Sequence, residues 1–439
     1  MTVSEHDLHH ASIAALVPDE LADPTVARPF ASLTDAELID AVAGVIGRPK
    51  IDPADSFILH SPLELLARAA LLPMVDEDTR EVARRRMLWL GATYARAGDE
   101  VPEWSSWSGG GPVQALIALE SALDTGDVES ADAAAASLAN SLAPTDLSGA
   151  LTDVVLPRLS AAAHGNIFLF QLPRIAPRSR AVAASSRGLV RELARNPDWS
   201  LTWYLDRPDT RREDRGAEDE LVDALLRPPS PGPLDSNFIF PTMSLVEQSG
   251  LASRLLAGPT RSIGLRSARR SLLRVAAWSM LQDDPDQAPY GWTHCLTLPQ
   301  AALGIAGAAA DPADAIAVAA TFVLGFRATQ GKVTLDPGWS PEPLTRADAL
   351  DPLAALEGTP DEAAAAAWHA PDSLRPAIVA RLAGYAASHP DAHLAKYTVA
   401  CLDAASADPG ADRLYLAAAA FLGAWWRQLP SDDPLLRGR

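Results

Sequence analysis

Apolar residues recur at helical spacing along most of the chain, and short runs of Pro, Gly and Asp separate the segments that carry them. The segment 78–97 is an example, with Val82, Leu88 and Leu90 among its apolar residues. Val, Ile and Thr rarely alternate with polar residues, whereas alanine, which loses no side-chain entropy in a helix, is abundant. The pattern therefore predicts an all-α fold.

The helical pattern predicts these helices: 62–72, 78–97, 113–124, 129–142, 147–163, 180–195, 268–281, 313–329, 374–388, 392–405 and 412–428. The first of them is predicted to open on a capping box, because Ser61 precedes Pro62 and Glu64 follows three residues after the cap.

The domain organisation follows from where this pattern is interrupted. Residues 31–439 are predicted to form a single large helical domain with long surface loops at 206–235 and 334–356, which are rich in Pro and Asp. Residues 1–30 are predicted to be a flexible arm and not a signal peptide, since no basic region followed by an apolar core is present. We find no internal repeat of fixed period.

Charge excludes several classes of partner. The 439 residues carry a net charge of −19, so nucleic acid and anionic membranes are poor partners.

No apolar run is expected to span a bilayer. The two cysteines, Cys295 and Cys401, are too few for a disulfide framework. The sequence therefore predicts a cytoplasmic protein.

Lys396 is one of only three lysines in the chain, and it follows His393 by three residues. At this spacing both side chains leave one face of a helix. The predicted helix 392–405 has no wholly polar face, which predicts that it is buried. A buried ammonium is costly, whereas a neutral amine can react with carbon dioxide to give a carbamate, an anionic oxygen ligand. The alternative is that Lys396 extends its amine to solvent.

Four of the nine histidines lie at the edges of strongly apolar segments: His60, His164, His294 and His393. Because neutral imidazole is the commonest metal ligand, these four could converge on one ion. For each of them the alternative is a core histidine that is hydrogen-bonded to a carbonyl. His389 is a possible substitute ligand near His393, and His369 is predicted to lie in a loop.

The motifs around these histidines resemble the questin oxidase-like family in order and spacing over roughly residues 50–410. They are Leu-His-Ser-Pro-Leu-Glu-Leu-Leu at 59–66, His-Gly-Asn-Ile-Phe-Leu at 164–169, Thr-His-Cys-Leu-Thr at 293–297 and His-Leu-Ala-Lys at 393–396. The resemblance implies an all-helical enzyme of secondary metabolism that opens the ring of a quinone or anthraquinone-like aromatic polyketide with dioxygen, by oxidative C–C cleavage or a Baeyer–Villiger-type reaction. It also implies a mononuclear non-haem iron(II) whose ligands would be His60, His164, His294, His393 and carboxylated Lys396.

The residue types are consistent with this chemistry. Mixed nitrogen and oxygen ligands without a thiolate argue against structural zinc, and an open coordination position could accept dioxygen or a substrate oxygen. No Gly-x-Gly-x-x-Gly follows a predicted strand, so a flavin is not expected. An electron-rich phenol could supply the electrons itself, and a need for NADPH is left open. Tyr290 and Trp292 precede His294 and are predicted to line an aromatic substrate pocket, with core packing as the alternative.

Two other functions stay open at this point. One is a related non-haem iron oxidase that acts on another small molecule, because fold and ligands do not fix the substrate. The other is a metal-free helical-repeat interaction protein. Bound metal distinguishes the second from the oxygenase. The sequence does not determine the oligomeric state.

Overall fold

Helices are the regular secondary structure in the computed structural model, which describes residues 5–102, 107–175, 180–207, 216–234, 236–344 and 351–436. Within these ranges there is no β-strand, and two isolated bridges join Lys50 to Glu100 and Arg158 to Ser200. The all-α prediction is confirmed.

The helices belong to two compact units. Unit 1 consists of Met1–Ser200, Ala387–Ala392 and Ser431–Arg439, and unit 2 consists of Leu201–Ala386 and His393–Pro430. The helices that precede residue 200 are α1 Glu5–Ala15, α2 Asp35–Ile46, α3 Ser56–Leu71, α4 Glu77–Arg96, α5 Pro112–Thr125, α6 Val128–Ser141, α7 Pro144–Val155, α8 His164–Ile175, α9 Arg180–Ala184 and α10 Ser186–Arg195.

The remaining helices lie wholly or mostly in unit 2. They are α11 Ala217–Leu226, α12 Ile239–Gln248, α13 Leu251–Ser262, α14 Leu265–Gln282, α15 Thr293–Ile305, α16 Pro312–Gln330, α17 Pro352–Ala355, α18 Pro360–His369, α19 Arg375–Ser388, α20 Ala392–Ala407 and α21 Asp412–Arg427.

The abundant alanine explains how unit 2 packs. Helices α18 and α21 lie against each other, and the alanines of Ala363–Ala367 and Ala417–Ala420 are buried. Small side chains allow two helix axes to approach closely, so the composition that favours helix formation also permits dense helix packing. Helix α16 is buried along most of its length.

The first 30 residues are more ordered than the predicted arm. Helix α1 packs on α2 and α4, where Ile13 is fully buried. Leu21 is also fully buried, and Arg85 donates a hydrogen bond to its carbonyl at 2.9 Å. Residues 1–4 lie outside the described residues.

The loop predicted at 206–235 contains a helix. Helix α11 lies within it, and Leu221 and Leu225 are fully buried at i,i+4 spacing on one face of that helix. The flanking charges and prolines hide this short apolar stripe in the sequence. Residues 208–215 and 235, and residues 345–350 of the second predicted loop, lie outside the described residues.

Among the described residues, two helical stretches have the length and hydropathy to cross a membrane, whereas no such run was expected from the sequence. They are Ser56–Met74 and Pro312–Gln330, and 61% and 78% of them, respectively, are buried inside the protein. Core helices of soluble proteins have the same properties, so the cytoplasmic location stays a prediction.

Two buried arginines of unit 1 donate hydrogen bonds to the backbone of residues 387–389. Arg68 on α3 binds Glu64 and donates to the carbonyls of Ala387 and His389 at 2.6 Å each. Arg86 on α4 donates to the Ser388 carbonyl at 3.0 Å and pairs with Asp433. The two guanidinium groups thereby hold three consecutive carbonyls of the segment that precedes α20.

Candidate metal centre

The predicted ligands occur in both units. His60 and His164 belong to unit 1, and His294, His393 and Lys396 belong to unit 2. All five are buried, with at most 9% of any residue exposed. Burial favours neutral imidazole over imidazolium, because the charged form loses its hydration.

His60 and His164 form a pair within unit 1. Their rings meet edge to face with centroids 4.7 Å apart, and a ring nitrogen of each lies within 4.8 Å of the other. The pair exists because α3 and α8 pack together. Two imidazole nitrogens that share a first-row metal lie at most about 4.2 Å apart, since each bond is about 2.1 Å long, so the pair is near the spacing that a shared ion requires.

The helix that carries His60 begins earlier than predicted. Asp55 is the N-cap of α3, and its side chain accepts a hydrogen bond from the Ile58 N–H at 2.8 Å. The predicted capping box at Ser61 is therefore wrong, and Pro62 lies inside the helix. The Ser61 hydroxyl instead donates to the Phe57 carbonyl at 2.7 Å.

This earlier start gives His60 a carbonyl partner. Its Nδ1 lies 2.5 Å from the Ser56 carbonyl oxygen, one turn back. Because a carbonyl only accepts, Nδ1 must carry the proton, and Nε2 then carries the lone pair that a metal needs. Histidine ligands are commonly oriented through such a bond from the other ring nitrogen.

His164 follows a left-handed turn. Ala161, Ala162 and Ala163 have φ values of 52°, 52° and 55°. The Ala161 carbonyl accepts a hydrogen bond from His164 Nδ1 at 3.0 Å. A left-handed alanine costs about 1–2 kcal/mol, so the surrounding structure must hold this turn in place. Strain of this kind clusters at functional sites.

Replacement of Ala162 by glycine is expected to raise the free energy of unfolding by about 0.5–1 kcal/mol, because glycine adopts positive φ without a steric cost. Ala118→Gly in the right-handed helix α5 is the matched control and should lower it by about 0.5–1 kcal/mol. Urea denaturation measures both. If Ala162→Gly destabilises the protein as Ala118→Gly does, the left-handed turn is not present in solution.

His294 and His393 form the corresponding pair in unit 2. Their ring centroids are 5.0 Å apart at an interplanar angle of 75°. The ring of Tyr290 lies edge-on to His393, also at 5.0 Å. His294 further stacks on Phe326 of α16 at 6.4 Å.

A π-helical turn, Ala288–Trp292, positions His294 at the start of α15. The Tyr290 carbonyl accepts hydrogen bonds from His294 Nδ1 at 2.6 Å and from the Thr293 hydroxyl at 2.8 Å. His294 therefore has the same tautomer as His60, with the lone pair on Nε2. Gly291 lies beside the C-terminal end of α16, where a Cβ would lie 2.0 Å from Gln330 Oε1, the end of a flexible side chain.

Electrostatics keep the unit 2 pair neutral. Burial, followed by the charges of His393 and Lys396, holds the pKa of His294 well below its ordinary value. Burial and then Lys396 lower the pKa of His393 in the same way. Both imidazoles are thus in the form that binds a metal.

Lys396 is on the buried side of α20, which begins at Ala392 as predicted. Only 4% of the residue is exposed, which argues against the alternative in which the side chain extends to solvent. Its charge acts on both His294 and His393, so it belongs to the same cluster.

The other predicted site residues differ in exposure. Trp292 is fully buried and donates from Nε1 to the Asp284 carbonyl at 2.9 Å. Tyr290 is 54% exposed. Their role in substrate binding stays a prediction. His389 is buried in unit 1, where its Nδ1 accepts from the Asp391 N–H at 3.1 Å, and His369 is exposed and donates to the Pro341 carbonyl.

Sequence reasoning missed Lys50, a second buried lysine. Lys50 lines a cleft of unit 1 whose wall includes His164. The scarcity of lysine that drew attention to Lys396 applies equally to Lys50, but no neighbouring histidine accompanies it in the sequence.

Comparisons with known proteins add no assignment. No protein-family model, no curated protein and no solved structure matches the chain. The resemblance to the questin oxidase-like family therefore depends on the four motifs alone.

Proposed function

We propose that this protein is a non-haem iron-dependent oxygenase that opens the ring of a quinone-like aromatic polyketide. The proposed ligands of one iron ion are His60, His164, His294, His393 and Lys396. The observation that carries the proposal is the presence of two buried histidine pairs in which three imidazoles donate from Nδ1 to a backbone carbonyl.

The donor set fits iron. Neutral imidazoles and a carboxylate-like oxygen suit iron(II), and when bound the metal supplies the activation of dioxygen. The oxygen donor would come from Lys396, whose neutral amine attacks the carbon of carbon dioxide. The ammonium first loses one proton to give the neutral amine. An N–C bond then forms as one C=O π bond of carbon dioxide becomes a C–O⁻ bond, and a second proton is released to solvent, which leaves an anionic carbamate.

The charge change at Lys396 would favour metal binding. As an ammonium, Lys396 lowers the pKa values of His294 and His393 and would repel a metal cation. As a carbamate it would attract the cation. Burial of the cluster would also exclude bulk water from a reactive site.

Backbone groups of the protein orient the proposed histidine ligands. The carbonyls of Ser56, Ala161 and Tyr290 fix the tautomers of their histidines, and the π-helical turn fixes the position of the Tyr290 carbonyl. Tyr290, which is partly exposed beside His393, is the candidate contact for an aromatic substrate.

Metal content tests the proposal first. Protein reconstituted anaerobically with iron(II) and freed of excess metal should retain about one ion per chain. His164→Ala and His294→Ala should each reduce the retained iron at least about tenfold, because a ligand is lost from the same ion. His369→Ala, an exposed histidine outside the ligand set, is the matched control and should retain the iron.

Three results would contradict the proposal. Absence of stoichiometric metal would leave the metal-free interaction protein as the better description. Two ions per chain, each lost with only one histidine pair, would refute a single centre. Stoichiometric iron without oxygen consumption on a panel of polyhydroxyanthraquinones would favour an oxidase of another small molecule.

The carbamate has a separate test. Carbon-13 NMR after equilibration with labelled bicarbonate should show one carbamate resonance in the wild type and none in Lys396→Met. If no such resonance appears while the iron stays bound, the histidine centre stands and the carbamate is refuted.

A further inference from the structure

A cleft in unit 1 combines an apolar wall with a buried cation. Its lining comes from the region of α2, α3, α4, α8 and α10, and it encloses about 540 Å³ of empty space including its open mouth. Ile58, Leu63, Phe168 and Leu189 provide apolar surface, and Lys50 provides the ammonium. An apolar cleft with few polar groups is the usual form of a small-molecule site.

Lys50 has unused hydrogen-bonding capacity. Only 5% of the residue is exposed. Among the described residues its Nζ donates to the Gly98 carbonyl at 3.2 Å, and the nearest carboxylate oxygen, on Glu100, lies 3.9 Å away. The ammonium also lies 4.9 Å from the centroid of the Tyr94 ring. The ammonium has three N–H donors, and one hydrogen bond from it is seen among the described residues. The ammonium can therefore also donate to a ligand.

The other charges of the cleft are already engaged or exposed. Arg191 binds Glu129 at 2.8 Å and Asp132 at 3.1 Å. Glu192 accepts from Arg195 at 3.1 Å, and Asp52 is exposed to solvent. Arg191 keeps one buried nitrogen, Nε, without a hydrogen-bond partner among the described residues, but two carboxylates offset its charge. Lys50, whose nearest carboxylate is beyond hydrogen-bonding distance, is the less neutralised cation of the cleft. Burial lowers the pKa of Lys50, which a bound anion would offset.

We propose that this cleft binds an apolar organic monoanion, such as an aromatic carboxylate, whose charged group is held by Lys50 and whose body lies against Phe168 and Leu189. On a chain of net charge −19, binding of an anion requires such a local cation. The site stands on the cleft alone and does not depend on the proposed iron. If both proposals hold, the anion lies in a cleft whose wall includes the iron ligand His164.

The test compares two probes of the same shape, 2-naphthoate and the neutral 2-naphthamide, with the full chain treated with EDTA. Ligand-observed NMR should give a dissociation constant about tenfold lower for the carboxylate, because a charge-assisted hydrogen bond is gained. Lys50→Met and Lys50→Gln should bind both probes equally. Lys332→Met removes a lysine that is 68% exposed, and it should keep the preference.

Leu189→Trp should weaken both probes, because the indole fills the cleft. Circular dichroism and thermal unfolding verify that each variant is folded, and the preference of the wild type does not depend on any variant. Equal affinities in the wild type, an unchanged preference in both Lys50 variants, or unchanged binding in Leu189→Trp would overturn the proposal. Binding of naphthoate that is lost with EDTA would also overturn it, since the anion would then bind a metal.

Discussion

Replacement of Asp283 by alanine is expected to lower the free energy of unfolding of unit 2 by about 3–5 kcal/mol. Asp283 follows α14, and its buried carboxylate lies 2.5 Å from Nη1 of Arg327 on α16. It also accepts from the Lys332 backbone N–H at 3.0 and 3.1 Å. Without Asp283, a guanidinium would stay buried without an opposite charge, and its lost hydration would not be compensated.

The effect of Asp283→Ala should extend to the His294–His393 pair of unit 2. Arg327 also donates to the carbonyls of Leu226 at 2.9 Å and Val333 at 2.8 Å, and its guanidinium lies 5.8 Å from the centroid of the Trp292 ring. Trp292 ends the π-helical turn that positions His294. We therefore expect Asp283→Ala to lower the retained iron as well.

Lys332→Ala is the matched control for this ion pair. Lys332 pairs with the neighbouring Asp284, but its side chain is 68% exposed, so the change should cost less than about 1 kcal/mol. Urea denaturation followed by circular dichroism measures both variants. A cost for Asp283→Ala as small as that for Lys332→Ala would show that Arg327 does not depend on this carboxylate.

Asp433→Ala is expected to destabilise unit 1 by about 3–5 kcal/mol. Asp433 lies near the C-terminus and pairs with Arg86, whose side chain is fully buried. Burial, followed by the charge of Arg68, lowers the pKa of Arg86 to about 10, and the Asp433 carboxylate acts in the opposite direction. Removal of that carboxylate leaves two neighbouring buried guanidinium groups with less compensation.

The adjacent residue provides the control. Asp432 is exposed, and Asp432→Ala should change the free energy of unfolding by no more than about 0.5 kcal/mol. The double variant Arg86→Met, Asp433→Leu should be more stable than Asp433→Ala, because the buried guanidinium of Arg86 is removed together with its partner. If Asp433→Ala and Asp432→Ala have equal effects in urea denaturation, the C-terminal residues do not hold Arg86 in solution.

Several predicted helices lie close to their predicted positions. The segment predicted at 78–97 is Glu77–Arg96, and the one predicted at 392–405 is Ala392–Ala407. Periodicity and alanine content are local properties, so a window of a few turns contains the information. The predicted start of α3 was wrong because two residues, Asp55 and Ser61, could each act as the N-cap of this helix. Packing of α3 offsets the cost of Pro62 inside a helix, which is about 3 kcal/mol.

The features next to the histidines could not be predicted. Alanine strongly favours the right-handed helix, so nothing in the sequence indicates a left-handed turn at Ala161–Ala163. The π-helical turn Ala288–Trp292 before His294 likewise has no signal in the local sequence. In both places the surrounding structure imposes a conformation that the local sequence does not prefer.

The three lysines show that the rarity of a residue type does not by itself indicate which of its members are buried. Rarity marks Lys50, Lys332 and Lys396 equally, yet Lys332 is exposed while the other two are buried. The neighbouring His393 and the apolar face of helix 392–405 predicted the burial of Lys396. Lys50 lies between Pro49 and Ile51 without such a pattern, so its position in a cleft was visible only in the structure.

The sequence by itself determined the helical class, the burial of helix 392–405 and the set of candidate ligands, because these depend on residue type and on spacing within a few turns. The tertiary structure decided that His60 meets His164 and that His294 meets His393, and it decided which carbonyl fixes each tautomer. The physical reason is that many alanine-rich faces are nearly equivalent as packing surfaces. Which helices pack together is set by burial of the whole unit, and no local pattern encodes that choice.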